Sequence, residues 1–248
     1  MSLFSRIIFV FIAISFYVTI VSAKGWLDAH ATFYGDMQGH YTEKGACGYD
    51  VFQDGYGLST TALSTTLFEE GAKCGACYEL MCAHSKWCKQ GAGVVRVTAT
   101  NLCPTSSDPH SWCNPPLHHF DLSEPMFINI AEYKGGIIPV KYRRIACPRR
   151  GGVKFQITGN PWFLLVLVYN VGDAGDVTDM KVMSSLRRDW VTMSRNWGMN
   201  WQVNGGGPWL GQGLTFLVTI SNGRTLQFDN VVPPNWSFGQ SFEGRINF

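Results

Sequence analysis

Every one of the eight cysteines, Cys47, Cys74, Cys77, Cys82, Cys88, Cys103, Cys113 and Cys147, lies before residue 148, while six of the nine tryptophans, Trp162, Trp190, Trp197, Trp201, Trp209 and Trp236, lie after it. A single core would mix the two residue types along its length. Their segregation predicts two units, one stapled by covalent cross-links and one packed around aromatic rings. The seam is expected at Pro148-Arg149-Arg150-Gly151-Gly152, a polar Pro/Gly stretch between two strand-like runs.

Arg6 is followed by the apolar run Ile7 to Ile14, and Val21-Ser22-Ala23 supplies the small residues that suit a signal peptidase. Residues 1–23 therefore read as a leader cleaved after Ala23, leaving 24–149 and 153–248 as the two units. Ser15, Tyr17 and Thr19 interrupt the apolar run, and no later stretch is long and apolar enough to span a bilayer. Once the leader is removed, no integral membrane segment is expected and the chain reads as secreted.

An oxidising compartment turns an even cysteine count into an expectation of four disulfides, but spacing alone leaves the pairing open. Thiolate zinc ligation by Cys74, Cys77, Cys82 and Cys88 is the competing reading. The compartment disfavours it, as does the lack of a second closely spaced C-x-x-C pair. The six histidines are scattered apart from His118-His119, so no metal and no cofactor are expected.

Removing Arg6 with the leader takes Lys+Arg from 20 to 19, against 18 Asp+Glu, a balance that names no charged partner. Nucleic acid would call for a concentrated basic face. Arg143-Arg144 and Arg149-Arg150 are short pairs and read as a solvated edge, so no nucleic-acid partner is expected.

In the first half, Val95, Val97 and Ala99 alternate with polar residues, as do Val140 and Tyr142, so both segments read as strands. Ser123-Glu124-Pro125 opens a helix carrying Phe127, Ile128, Ile130 and Ala131, which Gly135-Gly136 ends, and a second short helix is expected over Leu63 to Glu70. Many short strands with dense glycine predict a small disulfide-tied β-barrel. In the second half, Val153, Phe155 and Ile157 alternate, Leu164 to Val168 is a buried run, and Leu214, Phe216, Val218 and Ile220 alternate before an Asn222-Gly223 hairpin turn. A β-sandwich follows.

Candidate chemistry concentrates in two short stretches. Asp121, after His119-Phe120 and just before a helix start, reads either as a capping carboxylate or as a partly desolvated acid in a groove, its pKa raised by an aromatic neighbour. In Thr32-Phe33-Tyr34-Gly35-Asp36, alternation puts Thr32 and Tyr34 on one face of an extended segment with Asp36 at its end. Glycosidic hydrolysis needs paired carboxylates, one as acid and one as base, and Asp121 with Asp36 is the one pair the sequence offers. A phosphate loop, a G-x-S-x-G elbow and an H-E-x-x-H motif are all absent from the sequence. In the second half, Trp162-Phe163 and the stretch Trp190 to Trp201 supply flat rings suited to stacking on pyranose faces, although periodicity does not say which face outward. Asn235-Trp236-Ser237 is an N-glycosylation sequon.

The motifs Ala31-Thr-Phe-Tyr-Gly35, Gly45-Ala-Cys-Gly-Tyr49, Cys74-Gly-Ala-Cys77, Val97-Thr-Ala-Thr-Asn-Leu-Cys-Pro104, Trp112-Cys-Asn-Pro-Pro116, His119-Phe-Asp121, Tyr142-Arg-Arg144 and Ser194-Arg-Asn-Trp-Gly198 together resemble the alpha-expansins along the whole chain after the leader. The resemblance implies a mainly β protein: a six-stranded double-psi β-barrel similar to family 45 glycoside hydrolases, then an immunoglobulin-like β-sandwich that binds carbohydrate. It implies a monomer in the plant cell wall that loosens noncovalent contacts among cellulose and xyloglucan or other matrix glucans without hydrolysis. Asp121 matches the family's essential groove carboxylate, with Thr32, Tyr34 and His119 beside it. Trp162, Phe163 and Trp197 match the platform, while Trp190 and Trp201 are expected to pack inside. It further implies the pairs Cys47 with Cys74, Cys77 with Cys147, Cys82 with Cys88 and Cys103 with Cys113. The chain departs from the family pattern at Asp36, which stands where the hydrolases carry a base, along Asp36 to Lys44, and in Tyr49-Asp-Val-Phe-Gln-Asp54. The alternative function is accordingly a weak inverting endo-β-glucanase with Asp121 as acid and Asp36 as base.

Overall fold

The computed structural model describes residues 25–205 and 207–248, so the leader reading falls outside the described residues. The first half comprises β1 (Leu27–Tyr34), β2 (Thr60–Ser64), α1 (Thr65–Phe68), β3 (Cys77–Cys82), β4 (Val95–Cys103), β5 (His119–Ser123), α2 (Glu124–Ile130) and β6 (Ile138–Ile145). Its six strands close into a barrel in the order β1-β5-β2-β4-β3-β6. The pairs β1/β5 and β2/β4 run parallel and the remaining pairs antiparallel, the crossed arrangement of a double-psi β-barrel.

Period-two alternation decides what this barrel shows to solvent. Along β1, Ala29 and Ala31 point inward and are buried, which sends His30, Thr32 and Tyr34 to the outer face. Phe120 and Leu122 on β5 are wholly buried, which places Asp121 on the same outer face as Thr32. Ala29 and Ala31 are small, so rings from elsewhere fill the interior beside them: Tyr78 meets Phe120 at 5.2 Å and Phe120 meets Tyr142 at 4.9 Å between ring centroids, while Phe33 on the same side of β1 packs on Phe127 of α2 at 4.6 Å.

Glu124 and Pro125 occupy the first turn of α2, where a missing N–H costs nothing and a carboxylate suits the helix dipole. Phe127 and Ile130 anchor its inner side. The other helix is shorter than the sequence pattern suggests. Leu63 is claimed by β2, paired on one side with Leu102 and on the other with Phe120, so the helix begins only at Thr65.

Four disulfides lie in this half, joining Cys47 to Cys74, Cys77 to Cys147, Cys82 to Cys88 and Cys103 to Cys113. The second half contains β7 (Lys154–Asn160), β8 (Phe163–Tyr169), β9 (Val177–Ser184), β10 (Val191–Thr192), β11 (Ser194–Trp197), β12 (Asn200–Asn204), β13 (Leu214–Ile220), β14 (Thr225–Val232) and β15 (Ser241–Glu243). They form an immunoglobulin-like sandwich of a four-stranded sheet, β10-β9-β13-β14, and a five-stranded sheet, β11-β12-β8-β7-β15.

Phe155 stacks on Phe216 and meets Phe228 edge-on between the sheets. Trp209 and Trp236 are buried with their indole N–H groups donating to the carbonyls of Gly205 and Gln212, and Trp201 is buried too. Trp190 departs from expectation, being 37% exposed. It lies in the irregular connection before the two-residue β10, which is too short to draw it into the core.

The halves dock backbone against backbone. A Cβ on Gly198 would stand 2.5 Å from the Ala46 carbonyl oxygen, and one on Gly75 would stand 2.5 Å from that of Gly175. Beside these contacts, Arg144 of β6 donates to both oxygens of Asp176, a fully buried carboxylate that also accepts from the Ser221 hydroxyl. Three of the four side chains in the two basic pairs expected as a solvated edge are engaged, while Arg150 stays exposed. Arg143 is held by buried Glu79, Arg144 by Asp176, and Arg149 lies over the Tyr56 ring while donating to Thr98. Buried carboxylates and a ring face hold these three guanidinium groups, and a sequence window cannot see such partners.

Asp176→Ala should strip Arg144 of its buried partner at this junction. Removing one member of a buried pair costs about 3 kcal/mol or more, so chemical denaturation should show a loss of that order; an unchanged midpoint and slope would mean the pair does not hold the halves together.

Candidate functional site

The parallel register of β1 with β5 sets Thr32 opposite Asp121 and His30 opposite His119. The Thr32 hydroxyl donates to Asp121 Oδ1 at 2.7 Å. With its one proton so used, it accepts from His119 Nε2 at 2.8 Å. His119 is therefore the tautomer protonated on Nε2, and its buried Nδ1 has no hydrogen-bond partner among the described residues.

Burial governs the protonation of the whole group. It raises the Asp121 carboxyl above the ordinary carboxylate value, and the Thr32 hydrogen bond, which favours the ionised form, offsets this only in part. Burial first, and the nearby His30 second, lower His119 to about 4, so its ring is neutral through the mildly acidic range. Burial likewise raises Tyr34, whose hydroxyl lies by Asn101 and Asp121 but makes no hydrogen bond among the described residues. The arrangement is one tunable acid with a neutral donor chain behind it. Asp121 does not cap α2, whose N-terminal flanking residue is Ser123.

Asp36 is differently placed. Its carboxylate is partly exposed and accepts from the backbone N–H groups of Gln38 and His40 and pairs with His40 Nδ1 at 2.6 Å. The His40 side chain is the main cause of its lowered pKa. The carboxylate closes its own turn.

On the sandwich, Asn160 Oδ1 accepts from the backbone N–H groups of both Trp162 and Phe163, fixing the β7–β8 turn and leaving the Trp162 ring 63% exposed. Phe163, Leu165 and Leu167 alternate along β8 beside a row of amides on β12, with Asn204 opposite Phe163, Gln202 opposite Leu165 and Asn200 opposite Leu167. Trp197, 48% exposed, follows a bulge in β11 and pairs with Asn200. Asn200 and Leu167 are buried under Gly48, and the rest of this sheet face presents the rings of Trp162, Phe163 and Trp197 beside the amides of Gln202 and Asn204, a surface able to stack on a sugar ring and bond its hydroxyls.

A chain of contacts connects the two sites. Asn101, beside Tyr34, accepts through Oδ1 from the Ala46 N–H at 2.8 Å. Two residues on, a Cβ at Gly48 would lie 3.2 Å from both the Trp197 ring and Leu167. Gly45, Gly48, Tyr49, Gln156 and Trp197 line a recess of about 330 Å³ at this crossing. Among the described residues, no group of three or more His, Cys, Asp or Glu side chains is placed to hold a metal ion, and no helix is long and apolar enough to cross a membrane.

Residues 153–233 match the family profile described as Expansin C-terminal domain, and residues 60–142 match one described as lytic transglycolase. Expansin-A25 of Arabidopsis thaliana is 56% identical over 229 residues, which is 91% of this chain and 81% of that protein. Expansin-A23 of the same plant is 55% identical over 237 residues, 92% of this chain and 84% of that protein. The chain belongs to the alpha-expansin family. Among solved structures, apo Clavibacter michiganensis expansin superposes with a TM-score of 0.67 at 22% identity, covering 88% of this expansin and 96% of that chain. A mutant of the same bacterial expansin in complex with cellohexaose gives 0.67 at 21% identity, over 90% and 98%. At such identity these likenesses speak for the fold alone.

Motif reading of this expansin passed over His30, Asn101 and the amide row. His30 was accessible as the residue two before Thr32 on the same face of a strand, and Asn101 stands inside the Thr-Asn-Leu-Cys motif. The amides of β12 carry no signal until the strand is paired with β8.

Thr32→Val should remove the hydroxyl that favours the ionised carboxyl and raise the Asp121 pKa further. Side-chain NMR titration reads this directly. Because the folded-state pKa already lies above the unfolded one, the stability tied to Asp121 is full below the unfolded pKa and is lost as pH rises from there through the folded pKa, and in Thr32→Val that loss should begin at the same pH but extend to higher pH and grow larger.

Proposed function

We propose that this expansin is a secreted cell-wall protein that grips a β-glucan chain of cellulose, or of xyloglucan or another matrix glucan, and loosens its noncovalent contacts without cutting it. The sandwich rings Trp162, Phe163 and Trp197 hold the chain, and the barrel groove at Thr32, Tyr34, His119 and Asp121 competes for its hydrogen bonds. The observation that carries this reading is the Thr32–Asp121–His119 group, a single desolvated acid on an outward face joined through Asn101, Ala46 and Gly48 to the exposed Trp197. Cellohexaose in the complex of the bacterial expansin is a ligand of the chemistry this surface suits.

Hydrolysis by inversion asks for a base that activates water across the sugar from the acid. Asp36 is engaged by Gln38 and His40 in its own turn, which favours the non-hydrolytic reading over the endoglucanase. Loosening needs no cofactor or energy source. A net hydrogen bond is worth only about 1 kcal/mol, so a protein that exchanges its own donors for those of a neighbouring polymer lets the polymers slip under load.

When protonated, Asp121 keeps Oδ1 on Thr32 and presents a new O–H donor to the groove. Its raised pKa extends that form above the ordinary carboxyl range, whereas His119 stays neutral until about pH 4 and adds no charge there. Creep of heat-killed wall strips under constant load should therefore rise as pH falls from 7 to 4.5; creep indifferent to pH over that range would remove this role from Asp121.

Separating grip from loosening takes two variants. Asp121→Asn should keep cellulose binding and lose most creep, while Trp162→Ala combined with Trp197→Ala should lose binding by about tenfold or more, as expected for two stacked rings. Creep retained in Asp121→Asn would reduce the protein to a wall lectin. New reducing ends from soluble β-glucan, abolished by Asp36→Ala, would restore the hydrolase reading.

A further inference from the structure

The groove face does not end at the Thr32–Asp121 pair. One step back along β1, two residues before Thr32, His30 points to the same side, and the indole of Trp112 lies on its ring with centroids 4.2 Å apart. Alternate residues on a strand stand about 6.6 Å apart, roughly the length of one sugar ring. His30 therefore stands about that far from Thr32, on the side of the strand away from Tyr34, and the Trp112 ring lies beside it.

Trp112 is not placed as a core residue. Trp209 and Trp236 are almost fully buried and donate their indole protons to carbonyls, whereas Trp112 remains 38% exposed. Beyond His30 the surface stays concave: Asp28, His30, Pro116, Leu117 and His118 line a depression of about 380 Å³.

The loop that carries the ring is built to hold it still. The Cys103–Cys113 disulfide pins the residue next to Trp112, and the Cys113 carbonyl accepts from both the N–H and the hydroxyl of Thr65. Asn114 accepts from Ser106 N–H and donates to the carbonyls of Ser106 and Asp108, and the Ser64 hydroxyl bonds the Leu117 carbonyl. Holding an exposed indole in one orientation costs conformational entropy. A ring fixed in advance on an open groove loses little further freedom when a flat ligand face stacks on it.

We infer that Trp112, supported by His30, is a further aromatic subsite for the pyranose rings of the glucan, at the end of the barrel groove farthest from the sandwich platform. The inference rests on the glucan-binding reading above and extends it. The bound chain runs from Trp162 and Trp197 past Asp121 to Trp112, so rings flank the acid on both sides. A chain stacked at both ends is held straight across Asp121, whereas one held only by the sandwich is free to lift from the groove.

Calorimetric binding of a graded series of cello-oligosaccharides to the full protein separates the outcomes. In the unmodified protein, affinity should rise with length until the oligosaccharide spans platform and groove. Trp112→Ala should weaken only the longest members, by roughly two- to tenfold for one lost stacking contact, leaving the shortest unchanged, and Trp112→Phe should recover most of the loss. Trp162→Ala should weaken every length.

If Trp112→Ala binds the whole series like the unmodified protein while Trp162→Ala does not, the subsite is wrong and the platform reading stands. An equal loss at all lengths in Trp112→Ala, with a lowered unfolding temperature, would make the ring structural and also overturn the inference. If neither variant changes binding at any length, the glucan-binding reading itself falls.

Discussion

The functional surface exists because two backbones touch. Gly198 adopts a positive φ of 52° directly after Trp197, and the missing Cβ is what lets its chain lie against Ala46 and Cys47. Met199 N–H then donates to the Cys47 carbonyl at 3.0 Å, and the Cys47–Cys74 disulfide keeps that stretch of barrel in place. Trp197 is thereby delivered to Gly48 instead of to open solvent. Any side chain at either glycine would push the ring-bearing sheet off the groove, whatever the quality of each half on its own. Cys147 extends the same logic at the other end of the junction, bonded to Cys77 and donating from its N–H to the Asp173 carbonyl at 2.6 Å.

Once the surface is continuous, the acid within it follows from desolvation. A lone carboxyl under a barrel edge faces a choice between losing its charge and finding donors. Thr32 supplies one donor, which is enough to fix the carboxyl's orientation but not to restore the ordinary pKa. His119 adds no positive charge to stabilise the anion, since its own burial keeps it neutral. The result is a group that keeps its proton to higher pH than an ordinary carboxyl. Asp36, in contrast, is partly exposed and well supplied with donors, and its pKa moves the other way.

Much of this was legible from the chain. Alternation along Lys154 to Ile157 and Leu214 to Ile220 identifies strands because a sheet face repeats every two residues, and the cysteine and tryptophan halves are read from simple position. The fold family and the cysteine partners came only with the resemblance, since spacing does not choose among pairings. Thr32 and Asp121 could each be flagged, but they are separated by 89 residues and meet only through a parallel register that no local pattern encodes. The resemblance placed both Trp190 and Trp201 inside, which holds for Trp201 and fails for Trp190, and periodicity could not tell them apart. Both sit in Trp-containing stretches of similar character, and what separates them is that Trp201 lies within β12, paired with Val166 of the core strand β8, while Trp190 lies in a connection outside any strand.

In the proposed reading, the halves divide their labour between two different contact chemistries. Ring stacking is broad and tolerant of sliding, because each sugar of a repetitive polymer presents a similar apolar face. Hydrogen bonding at a desolvated carboxyl is short-ranged and directional, and at Thr32 and Asp121 it would act only on the sugar opposite them. A protein with only the first would hold a chain without disturbing its neighbours. One with only the second would gain too little from a single site to stay in place against a polymer that offers many competing partners. With both on one surface, as proposed, the tolerant contacts would keep the chain within reach while the directional one exchanges partners, and mechanical load on the polymer would set the direction in which each exchange moves it.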